Sequence, residues 1–192
     1  MVWTVESRAR EAVIDFVTGR HWSEDEYLLL ADGATAFLEL SEGRLVVHAM
    51  PSPLHQSVVL NLASILRASR LGKVYIAPMP VRLWPDKFRE PDLCYYRQEH
   101  LDRVGERFGE APDLVIEVLS PSTRSVDLGE KMDDYARAGI PEYWAIDSDA
   151  RDVTVYALAG AEYRLSQRYP SSEAVQPATI ADVSFQVSQI FD

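Results

Sequence analysis

The chain has 192 residues, 47% of them hydrophobic, which is enough to bury the core of one compact domain. Thirty acidic residues against nineteen basic ones give a formal net charge of -11, and this weighs against a general nucleic-acid-coating protein, because phosphate contacts ordinarily come with a basic surface. A single cysteine, Cys94, excludes an intrachain disulfide and every cysteine-based zinc spacing.

The first twenty residues, "MVWTVESRAREAVIDFVTGR", are broken by charges and lack the apolar run of a secretion signal, and no later run reaches membrane-spanning length. A cytoplasmic protein without a membrane partner is expected. From "WSEDEYLLLADG" a short helix is predicted, with Ser23 as N-cap, Glu26 completing a capping box and Gly33 near the stop. Residues 35–49, "TAFLELSEGRLVVHA", read as a β-hairpin turning at Ser41-Glu42-Gly43. In "SPLHQSVVLNLASILRASRLG", Val58, Leu62, Ile65 and Leu66 recur at helical spacing and Gly72 supplies the end. Three short extended runs follow, near 73–76, 80–84 and 92–96, separated by prolines, and then a charged loop, "QEHLDRVGERFGEAP". Residues 114–119 form a buried strand and 124–138 a second long helix. "EYWAIDSDARDVTVYALAG" gives two more strands turning at Ser148-Asp149, ahead of a tail of mixed strand and loop. With no repeat and no linker, this is an α/β domain whose strand pairs are flanked by two principal helices.

Glu117 interrupts the apolar strand "LVIEVL", on the face of Val115 and Leu119, while Leu114, Ile116 and Val118 point the other way. An unpaired ionised carboxylate there costs on the order of several kcal/mol, so it needs a cation, a donor or a metal. "REPDLCYY" places Asp92 after Pro91 at the mouth of another apolar strand, on the face of Cys94 and Tyr96. Two carboxylates converging from adjacent strands make the oxygen-rich, partly open site that Mg²⁺ or Mn²⁺ prefers. On a wheel of about 100° per residue, Leu128, Met132, Tyr135 and Gly139 form the buried stripe of the second long helix, with Lys131 about 60° to one side of it. Lys131 can then lean toward Glu117, with Asp127 one turn before it, while Glu130, Asp133 and Asp134 point outward. The residues alone leave plainer alternatives open: a sheet glutamate bonded to an arginine or an amide, and an Asp127–Lys131 surface pair.

The series Asp92, "PDLVIEVLSPST", Asp127, Lys131, Tyr135 and "AGIPEYWAID" resembles the restriction endonuclease-like family of Uma-two type, within the PD-(D/E)XK nuclease superfamily. The resemblance runs from about residue 22 to 156, with "FLELSEGRLVV" and "PSPLHQSVVLNLASIL" in the expected order. It implies a restriction-endonuclease-like fold, with a central mixed β-sheet flanked by α-helices, and a two-carboxylate site for Mg²⁺ or Mn²⁺. Asp92 and Glu117 match the two acids, and the Val118 carbonyl would be a third oxygen. Leu119 stands where the parent pattern has lysine, and Lys131 matches the lysine that such relatives supply from the following helix. Glu39 and His55 match recurrent polar positions, with Asp127 and Tyr135 in support. The implied activity is hydrolysis of DNA by a metal-activated water, and a homodimer fits because two sites are needed to cut both strands.

Two other readings use the same residues. One is an inactive nuclease fold acting as a binding or regulatory module, which the acidic balance favours unless Arg67, Arg70, Arg82, Arg89 or Arg124 gathers on one face. The other is a metal-dependent phosphodiesterase acting on a small nucleotide. Acyl-transfer chemistry is disfavoured, since Cys94 lies in an apolar strand and no Gly-x-Ser-x-Gly elbow is present.

Overall fold

The computed structural model describes residues 19–34, 36–180 and 183–192; the first eighteen residues, where a secretion signal was sought, lie outside them. Ser23 opens helix α1 (Glu24–Ala31) with the expected capping box: its hydroxyl accepts from the Glu26 amide at 3.3 Å, and the Glu26 carboxylate accepts from the Ser23 amide at 3.0 Å. The hairpin follows as β1 (Leu38–Ser41) and β2 (Arg44–Val47). Ser41 pairs with Arg44, so the turn is Glu42-Gly43 alone, both at positive φ (50° and 77°), as a right-twisted two-residue hairpin requires.

Helix α2 (Pro53–Ala68) begins where the Ser52 hydroxyl accepts from the His55 amide, with Pro53 in the first turn. Its buried face is Val58, Val59, Leu62, Ala63 and Leu66, with Ile65 only half-buried. Gly72 does not end this helix. The chain reverses at Arg70, φ 59°, and Gly72 instead opens β3 (Gly72–Ile76), where a Cβ would lie 2.1 Å from the Tyr96 carbonyl oxygen. Next come β4 (Val81–Trp84), the three-residue β5 (Lys87–Arg89), which lies outside the three expected extended runs, and β6 (Leu93–Arg97). A 3-10 helix, Gln98–Arg103, occupies part of the charged loop before β7 (Leu114–Leu119).

The second long helix is two pieces. Helix α3 (Arg124–Asp127) stops at Leu128, and α4 (Glu130–Arg137) restarts after Gly129. The buried line is Asp127, Lys131 and Tyr135, spaced i, i+4 and i+8, whereas Leu128 is 36% exposed and Gly139 is exposed. Asp134, expected to face outward, bonds to Arg89 instead. The charged side of the helix turns inward because the residues beneath it carry matching charges.

After α4 come β8 (Glu142–Asp147), β9 (Asp152–Ala159), β10 (Glu162–Pro170) and the short pair β11 (Ala174–Val175) and β12 (Phe185–Gln186). The large sheet has the order β10-β9-β8-β7-β6-β3, antiparallel except for β7 and β8, whose parallel pairing is bridged by α3 and α4. A second sheet, β2-β1-β5-β4, stands beside it. The mixed sheet flanked by helices is the architecture the resemblance implied. One face of the large sheet packs Leu93, Ile116 and Trp144 against α2; the other packs Cys94, Val115 and Tyr143 against Tyr135 of α4. Each such fully buried side chain contributes about 1.5–3 kcal/mol relative to exposure. Tyr27, Leu40 and Phe88 fill a third core under the hairpin. Among the described residues no helix is long and apolar enough to cross a membrane.

Candidate active site

Strands β6 and β7 pair with Leu93 opposite Ile116 and Cys94 opposite Val115. One step further along that register Asp92 falls opposite Glu117, so the two acids are cross-strand neighbours on one face. Oδ2 of Asp92 accepts from the Val118 amide at 2.7 Å and lies 3.0 Å from Nε2 of His55, which α2 brings in from its first turn. Glu117 is 2% exposed, and its Oε1 accepts from the Lys131 amine at 3.0 Å and from the Tyr135 hydroxyl at 2.7 Å. Lys131 and Tyr135, four residues apart on α4, therefore grip one carboxylate oxygen together.

The Lys131 amine also lies 3.2 Å from Asp127 and 3.7 Å from Glu39. Asp127 is 1% exposed, so the plain surface-pair reading of Asp127 and Lys131 fails. Its backbone carbonyl accepts from the Tyr143 hydroxyl at 3.0 Å. Glu39 is wholly buried and takes a bond from Arg89 at 2.7 Å and one from the Glu90 amide at 3.1 Å, with His48 at 2.9 Å. Arg89, 1% exposed, bonds Glu130 and Asp134 of α4 with its remaining donors. All eight residues singled out from the sequence, Asp92, Glu117, Val118, Lys131, Glu39, His55, Asp127 and Tyr135, thus belong to one connected neighbourhood.

The sequence pattern marks Arg89 only as one of five arginines able to form a basic face, and does not mark His48 or Glu90. A signal existed: Glu39 interrupts the apolar run "FLEL" as Glu117 interrupts "LVIEVL", and the same desolvation argument demands a cation for it. The arginines do not gather into a basic face. Arg89 is buried, Arg82 bonds Glu24 at 3.1 Å and Arg124 bonds Asp147 at 2.6 Å.

Surplus negative charge sets the titration. Burial raises the Glu117 carboxyl to about 8 against the pull of Lys131, and Asp92 and Asp127 add to the rise. Burial likewise raises Glu90 to about 8. Burial opposes the charge on Lys131, but Glu117, Glu39 and Asp127 outweigh it and hold the amine above its usual range. For Glu39 burial is again outweighed, by Lys131, His48 and Arg89, and its carboxyl is held well below the carboxylate range. His55 is raised, since its bond to Asp92 outweighs its desolvation.

The groups open into a cleft of about 640 Å³. Asp92, Glu117, Val118 and Lys131 lie along it with His55, Glu90 and Asp127, while Met50, Leu54 and Ile76 form an apolar wall. Glu39 does not line the cleft; it acts from beneath through Lys131.

A family model described as "Putative restriction endonuclease", Uma2, matches residues 24–188. The chain belongs to the Uma2 family. The match extends beyond the resemblance read from the sequence and takes in the C-terminal strands. Among solved structures, one titled "a putative nuclease belonging to DUF820", from Anabaena variabilis, is similar with a TM-score of 0.68 at 20% identity, covering 88% of this chain and 97% of that one. At that identity the likeness establishes the fold. No curated protein matches the chain.

Restriction endonuclease-like folds imply a divalent metal, and the Uma2 site can be tested for it on its own atoms. Among the described residues no three His, Cys, Asp or Glu side chains converge as a ready metal cage. Oδ1 of Asp92 and Oε2 of Glu117 nevertheless receive no hydrogen bond among those residues, whereas Oδ1 of buried Asp127 faces the Lys131 amine at 3.2 Å. Two free hard oxygens beside an excess of carboxylates fit an ion that retains several waters, as Mg²⁺ does.

Proposed function

We propose that this Uma2 protein is a divalent-metal-dependent endonuclease, a single nuclease domain that hydrolyses phosphodiester bonds in DNA. The observation that carries the reading is the Lys131 amine, 3.0 Å from Glu117 in a cleft that also receives Asp92. Asp92 and Glu117, with the Val118 carbonyl, would hold Mg²⁺ or Mn²⁺, which when bound supplies Lewis-acid activation of water and neutralises phosphate charge.

The chain's own groups supply orientation and charge. His55 and the Val118 amide occupy Oδ2 of Asp92, so its carboxylate is turned and held with Oδ1 free. Tyr135 does the same for Glu117 by occupying Oε1. Lys131, kept cationic by its three carboxylates, orients the attacking water and stabilises negative charge developing on the phosphoryl oxygens, which a neutral amine could not do. In-line hydrolysis of this kind leaves a 5′-phosphate and a 3′-hydroxyl.

The purified protein with Mg²⁺ or Mn²⁺ is expected to cut DNA, and Asp92→Ala or Glu117→Ala to abolish cutting. Equal cutting by the Glu117→Ala protein overturns the assignment. Calorimetric titration adds a readout without turnover: Mn²⁺ should bind the wild type, and Asp92→Asn should weaken that binding severalfold.

A further inference from the structure

Beyond the reacting groups, the cleft continues into a second depression of about 370 Å³, and the two share Leu60 and Ile76 as walls. On α2, Gln56, Leu60, Ala63 and Arg67 recur at i, i+4, i+7 and i+11, one stripe about 16 Å long at about 1.5 Å rise per residue. Val74 and Ile76 of β3, the edge strand of the large sheet, line the opposite side. The trough is apolar and open: Met50 is 68% exposed, Leu54 49%, Leu60 62% and Ile76 46%.

We propose that this trough carries an unpaired polynucleotide strand, so that the substrate is single-stranded DNA or an unpaired end rather than intact duplex. The proposal rests on the nuclease reading above and narrows it. A duplex hides its base faces and offers a protein mainly phosphates and groove edges, which are gripped by cations. Here the cleft has one lysine, already engaged, against Glu90, Asp92, Glu117, Asp127 and Asp149. An apolar wall has nothing to hold on a duplex. An unpaired strand exposes its base faces for packing on side chains, and its lower charge density asks fewer cations of the protein than a duplex does. Arg67, exposed at the far end of the stripe, has no ion pair among the described residues and can meet one phosphate. Continuity with the cleft, through the shared Leu60 and Ile76, leads the strand past Asp92 and Lys131.

Fluorescence anisotropy with a labelled oligothymidylate and a duplex of equal length, in chelator and in Ca²⁺, tests this directly. The wild type should favour the single strand. Leu60→Ser should weaken single-strand binding severalfold, through the apolar contact area it removes. Arg67→Ala should weaken it severalfold and reduce the salt slope by about 0.7, the value for one phosphate on a single strand. Leu165→Ser, on the opposite edge strand β10 and 63% exposed, should leave it unchanged. Duplex bound as tightly as single strand, or no effect of Leu60→Ser, overturns the proposal. So does a dimer on gel filtration that Ile76→Glu splits, for the trough is then an interface between two copies. Hydrolysis of bis-p-nitrophenyl phosphate by the wild type with Mn²⁺ separates the two readings. If that diester is cut but duplex is bound equally well, the track fails and the nuclease stands. If neither the diester nor DNA is cut while single-strand binding depends on Leu60, the nuclease reading fails and the track stands.

Discussion

Lys131 brings one positive charge to three carboxylates, Glu117 at 3.0 Å, Asp127 at 3.2 Å and Glu39 at 3.7 Å, all buried. Lys131→Met keeps the aliphatic stem and removes the charge, leaving those acids without their shared counter-ion. Breaking a buried pair from one side costs about 3–5 kcal/mol, and urea unfolding of the metal-free variant should register a loss of that size. Tyr135→Phe removes only a hydroxyl donor and leaves Lys131 on Glu117, so it should cost about 1–2 kcal/mol while lowering kcat more than it raises KM. The pair distinguishes a group that sustains the fold from one that aims a carboxylate. At this scale much was legible. A carboxylate in an apolar strand must have a partner, and that reasoning led to Glu117, Asp92 and Lys131. Glu39 in "FLEL" makes the same demand, and its cation is Arg89, which charge pattern alone ranks with the surface arginines.

Among the elements, a charged line rather than an apolar one turns α3 and α4 toward the sheets. An apolar wheel over 124–138 buries Leu128; the structure buries Asp127, Lys131 and Tyr135, one face spaced i, i+4 and i+8. Apolar periodicity does not find this line, because two of its three members are charged and are buried with the partners beneath them. A Cβ on Gly129 would lie 2.8 Å from the Ser125 carbonyl oxygen, a backbone atom that cannot swing away. Gly129→Ala should therefore shift α4 against α3, destabilise the protein by about 1–3 kcal/mol, and lower cleavage more than Tyr135→Phe does, because both Lys131 and Tyr135 ride on the displaced helix. Thermal melts and single-turnover rates check the two halves of this. The other elements missed in the sequence have similar causes. Lys87–Arg89 is too short to show alternation between its flanking prolines, and Gly72 looks like a helix stop when its lack of a side chain serves close approach to β6.

At the scale of the whole molecule, Arg89 on β5 of the smaller sheet bonds Glu39 of β1 in that same sheet and Glu130 and Asp134 of α4, the helix packed on the large sheet. Since α4 carries Lys131, this clamp couples the hairpin sheet to the geometry of the cleft. Arg89→Leu removes one cation from three carboxylates but leaves Asp134 and Glu130 with Lys87, at 2.8 and 3.5 Å, and Glu39 with Lys131 at 3.7 Å, so it should cost about 3 kcal/mol, with cleavage falling as α4 loosens. Glu39→Gln leaves Arg89 with Asp134 and Glu130 and should cost less. If the Arg89–Glu39 bond is the link that matters, the double variant loses less than the sum of the two, by about 0.5–3 kcal/mol for groups in direct contact. An additive cycle would show instead that the α4 bonds alone make the clamp. The acid limb supplies a second check. The folded Glu39 carboxyl is held below its unfolded value of 4.5, so the unfolded chain takes up this proton first as pH falls. The stability due to Glu39 is thus present above about pH 4.5 and is lost as pH falls toward the folded value. Glu39→Gln, though less stable at neutral pH, should show a shallower decline in Tm below about pH 4.5 than the wild type. Parallel acid limbs for the two proteins would mean that Glu39 does not hold its charge in the fold and that Arg89 is neutralised by α4 alone.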